Sequence, residues 1–189
     1  VGGTGSWPVD DESGVWDEED GLFYDQLVTP SGAVVPVRAR SMVGVIPLLA
    51  SVIVGETIIQ AAERLGKQFA RLLHGALEDE DALRAQGVLR GPDEDRVMLL
   101  SAMGVDRLLR VSARLFDEDE FLSPHGLRAL SKHHGEHPCV LEVEGVWAEV
   151  DYEPAESTTD MFGGNSNWRG PVWMPLNYLL LSALERYAR

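Results

Sequence analysis

Cysteine is almost absent from this 189-residue chain, and the single Cys139 can neither close an intrachain disulfide nor build a cysteine-rich zinc site. Long apolar runs are also missing. No stretch approaches the ~20 unbroken apolar residues of a membrane span, and the first residues show no basic-then-apolar leader pattern. Positive charge is scarce, with 16 Lys and Arg against 31 Asp and Glu, a formal net charge of -15. That sign repels nucleic acid and anionic membrane surfaces, so neither is expected as a partner. Nothing requires an oxidising compartment, and a cytoplasmic location is expected.

Several catalytic signatures are lacking as well. The opening GGTGS (residues 2 to 6) has no lysine to complete a phosphate loop, and no GxSxG elbow surrounds Ser41 or Ser166. The acids near Gly14 and Gly21 are out of register for a calcium loop. His125, His133, His134 and His137 match no HExxH spacing, so neither a metal nor any other cofactor is expected.

What is present is a chain 44% apolar, of a size to bury one ordinary core. The start, VGGTGSWPVDDESG, reads as an internal loop, and the last helix runs to Arg189 without a cap; an interior piece of a longer chain is expected, with the remainder of the parent as its partner. The strands Phe23 to Val28 and Ala33 to Arg38 flank a Thr-Pro-Ser-Gly turn, and a second hairpin joins Val140 to Val143 with Val146 to Val150 through Glu144 and Gly145. Ser41 to Val54 is a buried apolar run that Pro47 would kink or start as a helix. Apolar residues at steps of three and four predict an amphipathic helix over Glu56 to His74, ended by Gly75, and further helices over Asp81 to Gln86 and Arg96 to Phe116. Ser123 and Pro124 look like the cap and first turn of a short helix reaching His133. A final helix begins near Pro171. Helices of ordinary length between chemically rich loops and small hairpins predict an all-α scaffold.

The richest segment is Phe162 to Tyr178, FGGNSNWRGPVWMPLNY. Trp168 and Trp173 offer flat faces of the kind that stack on pyranose rings, while Asn165, Asn167 and Arg169 supply directional hydrogen bonds to hydroxyls. Gly163, Gly164 and Gly170 permit close backbone approach. The same indoles could instead fill the core. Carboxylates beside aromatics, among them Glu18, Glu19 and Asp20 near Trp16, Phe23 and Tyr24, or Glu153 and Glu156 before the tryptophan segment, suit a general acid if desolvation raises their pKa.

Trp168 to Trp173, WRGPVW, followed by Asn177 and Tyr178, resembles the pocket segment of glycoside hydrolase family 63 and its mannosylglycerate-hydrolase-like relatives. VWDEEDGLFYD at 15 to 25, RARSMVGVIPL at 38 to 48 and LSPHGLRALSKHH at 122 to 134 agree with it in order. The resemblance implies that residues 1 to 189 are part of an (α/α)6 barrel, with small β-hairpins in its loops. It further implies an inverting, exo-acting glycosidase acting on α-glucosides or α-mannosides. Carried over by position, Trp168 and Trp173 would line the sugar pocket with Asn167, Arg169 would orient the loop or bind a hydroxyl, and Trp16, Glu18, Phe23 and Tyr24 would join from a neighbouring loop. The general acid and base would lie outside this chain, leaving the parent protein an enzyme and this piece inactive. The alternative is a noncatalytic carbohydrate-binding or scaffold module.

Overall fold

A computed structural model of the chain describes residues 15–64, 80–93, 95–160 and 167–189. Among these, β1 (Trp16–Asp17) pairs with β2 (Leu22–Phe23), β3 (Asp25–Val28) with β4 (Val34–Val37), β8 (Leu122–Ser123) with β9 (Gly126–Leu127), and β10 (Cys139–Val143) with β11 (Val146–Val150), all antiparallel. A three-stranded sheet runs in the order β5 (Ser51–Gly55), β7 (Val97–Ser101), β6 (Leu89–Arg90). The helices are α1 (Glu56–Arg64), α2 (Glu80–Ala85), α3 (Val105–Leu115) and α4 (Met174–Ala188), with 3₁₀ segments at Met42–Leu49 and Lys132–Gly135.

The described residues form a β-rich arrangement of five small sheets, which corrects the all-α expectation and the (α/α)6 barrel with it. The misreading has a local cause in each case. Ser41 to Val54 does not form one kinked helix: Ser41 caps the 3₁₀ segment by accepting from the Val43 N–H, and the Ala50 N–H then bonds Pro47 O. The β-branched triplet Val52, Ile53, Val54 goes on into β5, in keeping with its strand preference. Arg96 to Phe116 is not one helix either. Its first half is β7, which pairs with β5 from Ser51↔Ser101 to Gly55↔Val97, and only after Gly104 does α3 begin. The helix expected from Pro124 to His133 is replaced by the tight β8–β9 hairpin, where Ser123 Oγ donates to Gly126 O at 2.6 Å and accepts from the His125 N–H. Gly126 there has φ +132°, a conformation closed to most side chains.

The two long hairpins form where turn residues demand them. Val28 faces Val34 across the Thr-Pro-Ser-Gly turn, in which the Gly32 N–H donates to Thr29 O. Val143 faces Val146 across Glu144 (φ 50°) and Gly145 (φ 79°), the paired positive φ values of a two-residue hairpin loop. The first amphipathic helix is described only to Arg64, and its expected continuation to His74 and Gly75 lies outside the described residues.

One core gathers Leu22, Phe23 and Tyr24 with Met42, Val45 and Leu48, then Val111 and Leu115 of α3, Phe121, and Leu180, Ala183 and Tyr187 of α4. Each fully buried Leu, Val or Phe of this set stabilises the fold by about 1.5–3 kcal/mol. Gly44 lets the 3₁₀ segment lie against the Phe23 backbone, since a Cβ there would collide with Phe23 O. A second cluster, Ile59, Leu89 and Met98, closes the outer face of the three-stranded sheet. Tyr187 fastens the far end of α4, its hydroxyl donating to Met103 O at 3.2 Å and its carbonyl accepting from Arg90 at 2.6 Å.

Candidate functional site

The segment entering α4 brings both predicted indoles together. Trp168 and Trp173 meet edge to face, ring centroids 4.7 Å apart at 84°, a favoured aromatic geometry. Trp168 is 49% exposed, Trp173 is half-buried and Asn167 is exposed. Past them, Met174 and Tyr178 stand exposed four residues apart on α4, at 60% and 70%, the spacing that places two side chains on one helix face. Exposed aromatic and apolar side chains therefore stand both before α4 and on its first two turns. Gly163, Gly164 and Asn165 lie outside the described residues.

Arg169 faces the other way. It is 1% exposed and ion-paired with Asp151 and Glu153. It also donates to Ser157 Oγ at 3.1 Å and Thr159 Oγ1 at 3.0 Å, while the Glu153 N–H returns a bond to Arg169 O at 2.7 Å. A guanidinium has five N–H donors, and these partners hold the fork inward; its work is to tie the 151–159 segment to the tryptophan segment. The next residue, Gly170 (φ +126°), leaves room for the Tyr152 ring, which a Cβ would strike. Tyr152 Oη in turn accepts from Arg128 Nε at 3.0 Å, and buried Arg128 caps the carbonyls of Glu118, Glu120 and Leu122. The indoles thus rest on a polar scaffold that reaches the middle of the chain.

The other predicted contacts gather elsewhere. Phe23 and Tyr24 are 6% and 5% exposed, part of the core and not the rim of an open surface. Trp16 packs edge to face on Phe23 at 4.7 Å, with Arg107 and Arg110 over its ring at 5.0 and 5.5 Å. Glu18 is exposed and ion-paired with Arg110. Among the described residues this group makes no hydrogen bond, ion pair or ring contact with Trp168 or Trp173.

A third cluster was not foreseen. Asp20 accepts from Tyr24 Oη at 2.7 Å and pairs with Arg40, which also bonds Glu120 at 2.6 Å. Arg114 reaches the same Glu120 oxygen at 2.8 Å. Burial opposes ionisation of Asp20, but the Tyr24 hydroxyl and the Arg40 guanidinium outweigh it and hold the carboxyl below its usual range. The same burial, together with the Asp20 carboxylate, pushes Tyr24 well above the ordinary phenol. Beside them His134 Nε2 accepts from the Arg40 N–H at 2.8 Å, so its Nδ1 carries the proton and donates to His137 O at 2.8 Å. Burial pushes His134 below the usual imidazole pKa. The sequence signal was the histidine group itself, which the metal test set aside. Among the described residues no three His, Cys, Asp or Glu side chains converge to hold a metal ion.

No family model matches the chain. It is similar to the uncharacterized protein YMR196W of Saccharomyces cerevisiae, with 40% identity over 173 residues covering 92% of this chain and 16% of the yeast protein. The chain therefore spans about one sixth of that relative's length. These comparisons and the small antiparallel sheets overturn the resemblance to glycoside hydrolase family 63. The labels drawn from it, six-hairpin glycosidase and α/α barrel among them, fall with it. The motifs that carried the resemblance have structural roles here: in WRGPVW, Arg169 is an internal ion-pair partner and Gly170 a seat for Tyr152. Among the described residues no helix is long and apolar enough to cross a membrane.

Proposed function

We propose that this chain presents a carbohydrate-binding surface, with the indoles of Trp168 and Trp173 as its platform. The observation that supports the reading most is the half-exposed Trp168 ring braced edge to face by Trp173. A flat apolar ring fixed in orientation stacks on the C–H face of a pyranose with little further ordering, and the exposed Asn167 and Tyr178 add polar groups beside it. The net charge of -15 favours a neutral saccharide over an acidic one at this face. Any cleavage of an α-glucoside or α-mannoside by a longer protein carrying this segment would draw its acid and base from elsewhere. Asp151 and Glu153, the carboxylates beside the platform, are both engaged by Arg169.

Calorimetric titration with glucose, mannose and their α-linked oligosaccharides tests the proposal. Binding that weakens about tenfold in Trp168→Ala, as expected for losing roughly 1–1.5 kcal/mol of aromatic contact, supports it. Equal affinity in the wild type and Trp168→Ala, or no heat with any of these sugars, removes it.

A further inference from the structure

A cleft of about 290 Å³ opens among Asp20 and Tyr24, the link carrying Arg38 and Arg40, the 3₁₀ segment Lys132–Gly135 and the start of β10. Its lining includes Tyr24, Arg38, Arg40, His133 and His137, with one carboxylate, Asp20. In a chain of net charge -15, this concavity gathers two arginines and three histidines against one carboxylate. Asp20 does not make it an acidic site, because its oxygens are occupied by Tyr24 and Arg40, with Arg38 4.0 Å away. Arg38 is 55% exposed and bonds Asp17 at 2.8 Å, which leaves guanidinium donors facing water.

The two imidazoles are the telling groups. His133 and His137 lie with ring centroids 4.6 Å apart and planes tilted by 32°. Among the described residues neither ring has a hydrogen-bond or ion-pair partner, unlike His134 between them, whose two nitrogens are both engaged. Two stacked imidazoles can each donate one N–H when neutral. If both are protonated, their repulsion must be relieved by an anion between or beside them.

We propose that this cleft binds a tetrahedral oxyanion, a sulfate or a phosphate group, through the Arg38 guanidinium and the ring N–H groups of His133 and His137. Arg40 and Tyr24 form its floor and are held by Asp20 and Glu120. The oxyanion replaces water on ring N–H donors that have no protein acceptor. The cleft shares no residue with the Trp168 and Trp173 platform, so either site can fail without the other.

The binding is coupled to pH. Burial and the Arg40 charge hold His133 below the usual imidazole pKa in the empty cleft. The other charged or titratable groups facing the pair are Arg38, Asp20, Tyr24, Glu120, His134 and Cys139. Of these, Asp20 is held ionised by Tyr24 and Arg40, and His134 is held as a neutral bridge between the Arg40 N–H and His137 O. Proton uptake on binding therefore falls on His133, and affinity rises as pH falls.

Sulfate is the probe, since its own charge is constant across this range. Calorimetry at matched ionic strength, with chloride as the control ion, is expected to show sulfate binding about tenfold tighter at about pH 5.5 than at about pH 7.5. His133→Gln/His137→Gln flattens that dependence, Arg38→Gln weakens binding at every pH, and Trp168→Ala leaves it unchanged. Circular dichroism confirms that each variant is folded. A parallel titration with inorganic phosphate and glucose 6-phosphate separates the sources: a tighter ester assigns the cleft to a sugar phosphate, equal binding to the free ion, and both support the site. Sulfate affinity no greater than chloride, or a pH dependence that survives in the double histidine variant, overturns it.

Discussion

The side-chain amide of Asn177 completes the backbone of Leu127 as a neighbouring strand would. Its Oδ1 accepts from the Leu127 N–H at 2.7 Å, and its Nδ2 donates to Leu127 O at 3.0 Å. The same Nδ2 also reaches Trp173 O at 3.0 Å. One buried amide thus joins β9, the first turn of α4 and the residue that braces the tryptophan platform. Leu127 lies at the end of a two-residue strand, with no further ladder to satisfy it.

Asn177→Ala leaves two backbone groups of Leu127 without these partners in a buried setting. A loss of about 2–4 kcal/mol is expected, read as a lowered denaturation midpoint at unchanged slope. Asn177→Asp keeps the acceptor but loses the donor and buries a charge, so it is expected to be at least as damaging as alanine. A loss under about 0.5 kcal/mol for alanine would show that water takes over both bonds.

Arg169→Lys tests the tie behind the platform. Lysine keeps the charge but not the planar fork, so it cannot serve Asp151, Glu153, Ser157 and Thr159 together. A destabilisation of roughly 2–4 kcal/mol is expected, together with weaker sugar binding although the residue does not face the ligand. Gly170→Ala is expected to act in the same direction, through its positive φ and the Tyr152 ring. Thermal melts and the sugar titration, run on the same variants, check both.

Glu120 is 4% exposed and accepts from Arg40, Arg114 and Ser131. Glu120→Ala strands two guanidinium groups around a cavity, for which a loss of about 3–5 kcal/mol is expected. Glu120→Gln keeps the volume and should recover part of it. Urea denaturation of the two variants side by side gives the difference.

Asp20 sets an acid limit on stability. Its pKa is lower folded than unfolded, so its contribution is fully present above the ordinary carboxylate value of 3.8 and is lost as pH falls through the lower folded value. Asp20→Asn is expected to flatten the fall in stability below about pH 4 while lowering the plateau above it. Melting temperatures measured from about pH 2.5 to about pH 7 trace both limbs. Parallel curves for the wild type and the variant would assign the acid transition to other carboxylates.

Turns were readable because their chemistry is local: Thr-Pro-Ser-Gly and Glu-Gly fix two hairpins without help from the rest of the chain. The apolar runs were not, because their pairing is distant. Nothing within Ser41 to Val54 or Arg96 to Phe116 reveals that Val52 will sit opposite Leu100, and an apolar run alone fits a buried helix as well as a strand. At the site, the nearness of Trp168 and Trp173 was legible from spacing and composition. The inward turn of Arg169 was not, since its partners Asp151 and Glu153 lie across a segment with no periodic pattern. The family resemblance made Tyr24 and Phe23 a sugar-contacting edge, but the core takes both rings. The histidine cleft was not legible, because Asp20, Arg38 and Arg40, which line it with His133 and His137, lie about a hundred residues away in the chain.

Arg40 belongs to two structures at once. Its guanidinium spans Asp20 and Glu120, and its backbone N–H fixes the tautomer of His134. Amino-acid replacement around the cleft is accordingly unequal: Arg38, His133 and His137 can be exchanged to retune which ligand is admitted, whereas replacing Arg40 removes the guanidinium that bridges Asp20 and Glu120 beneath it.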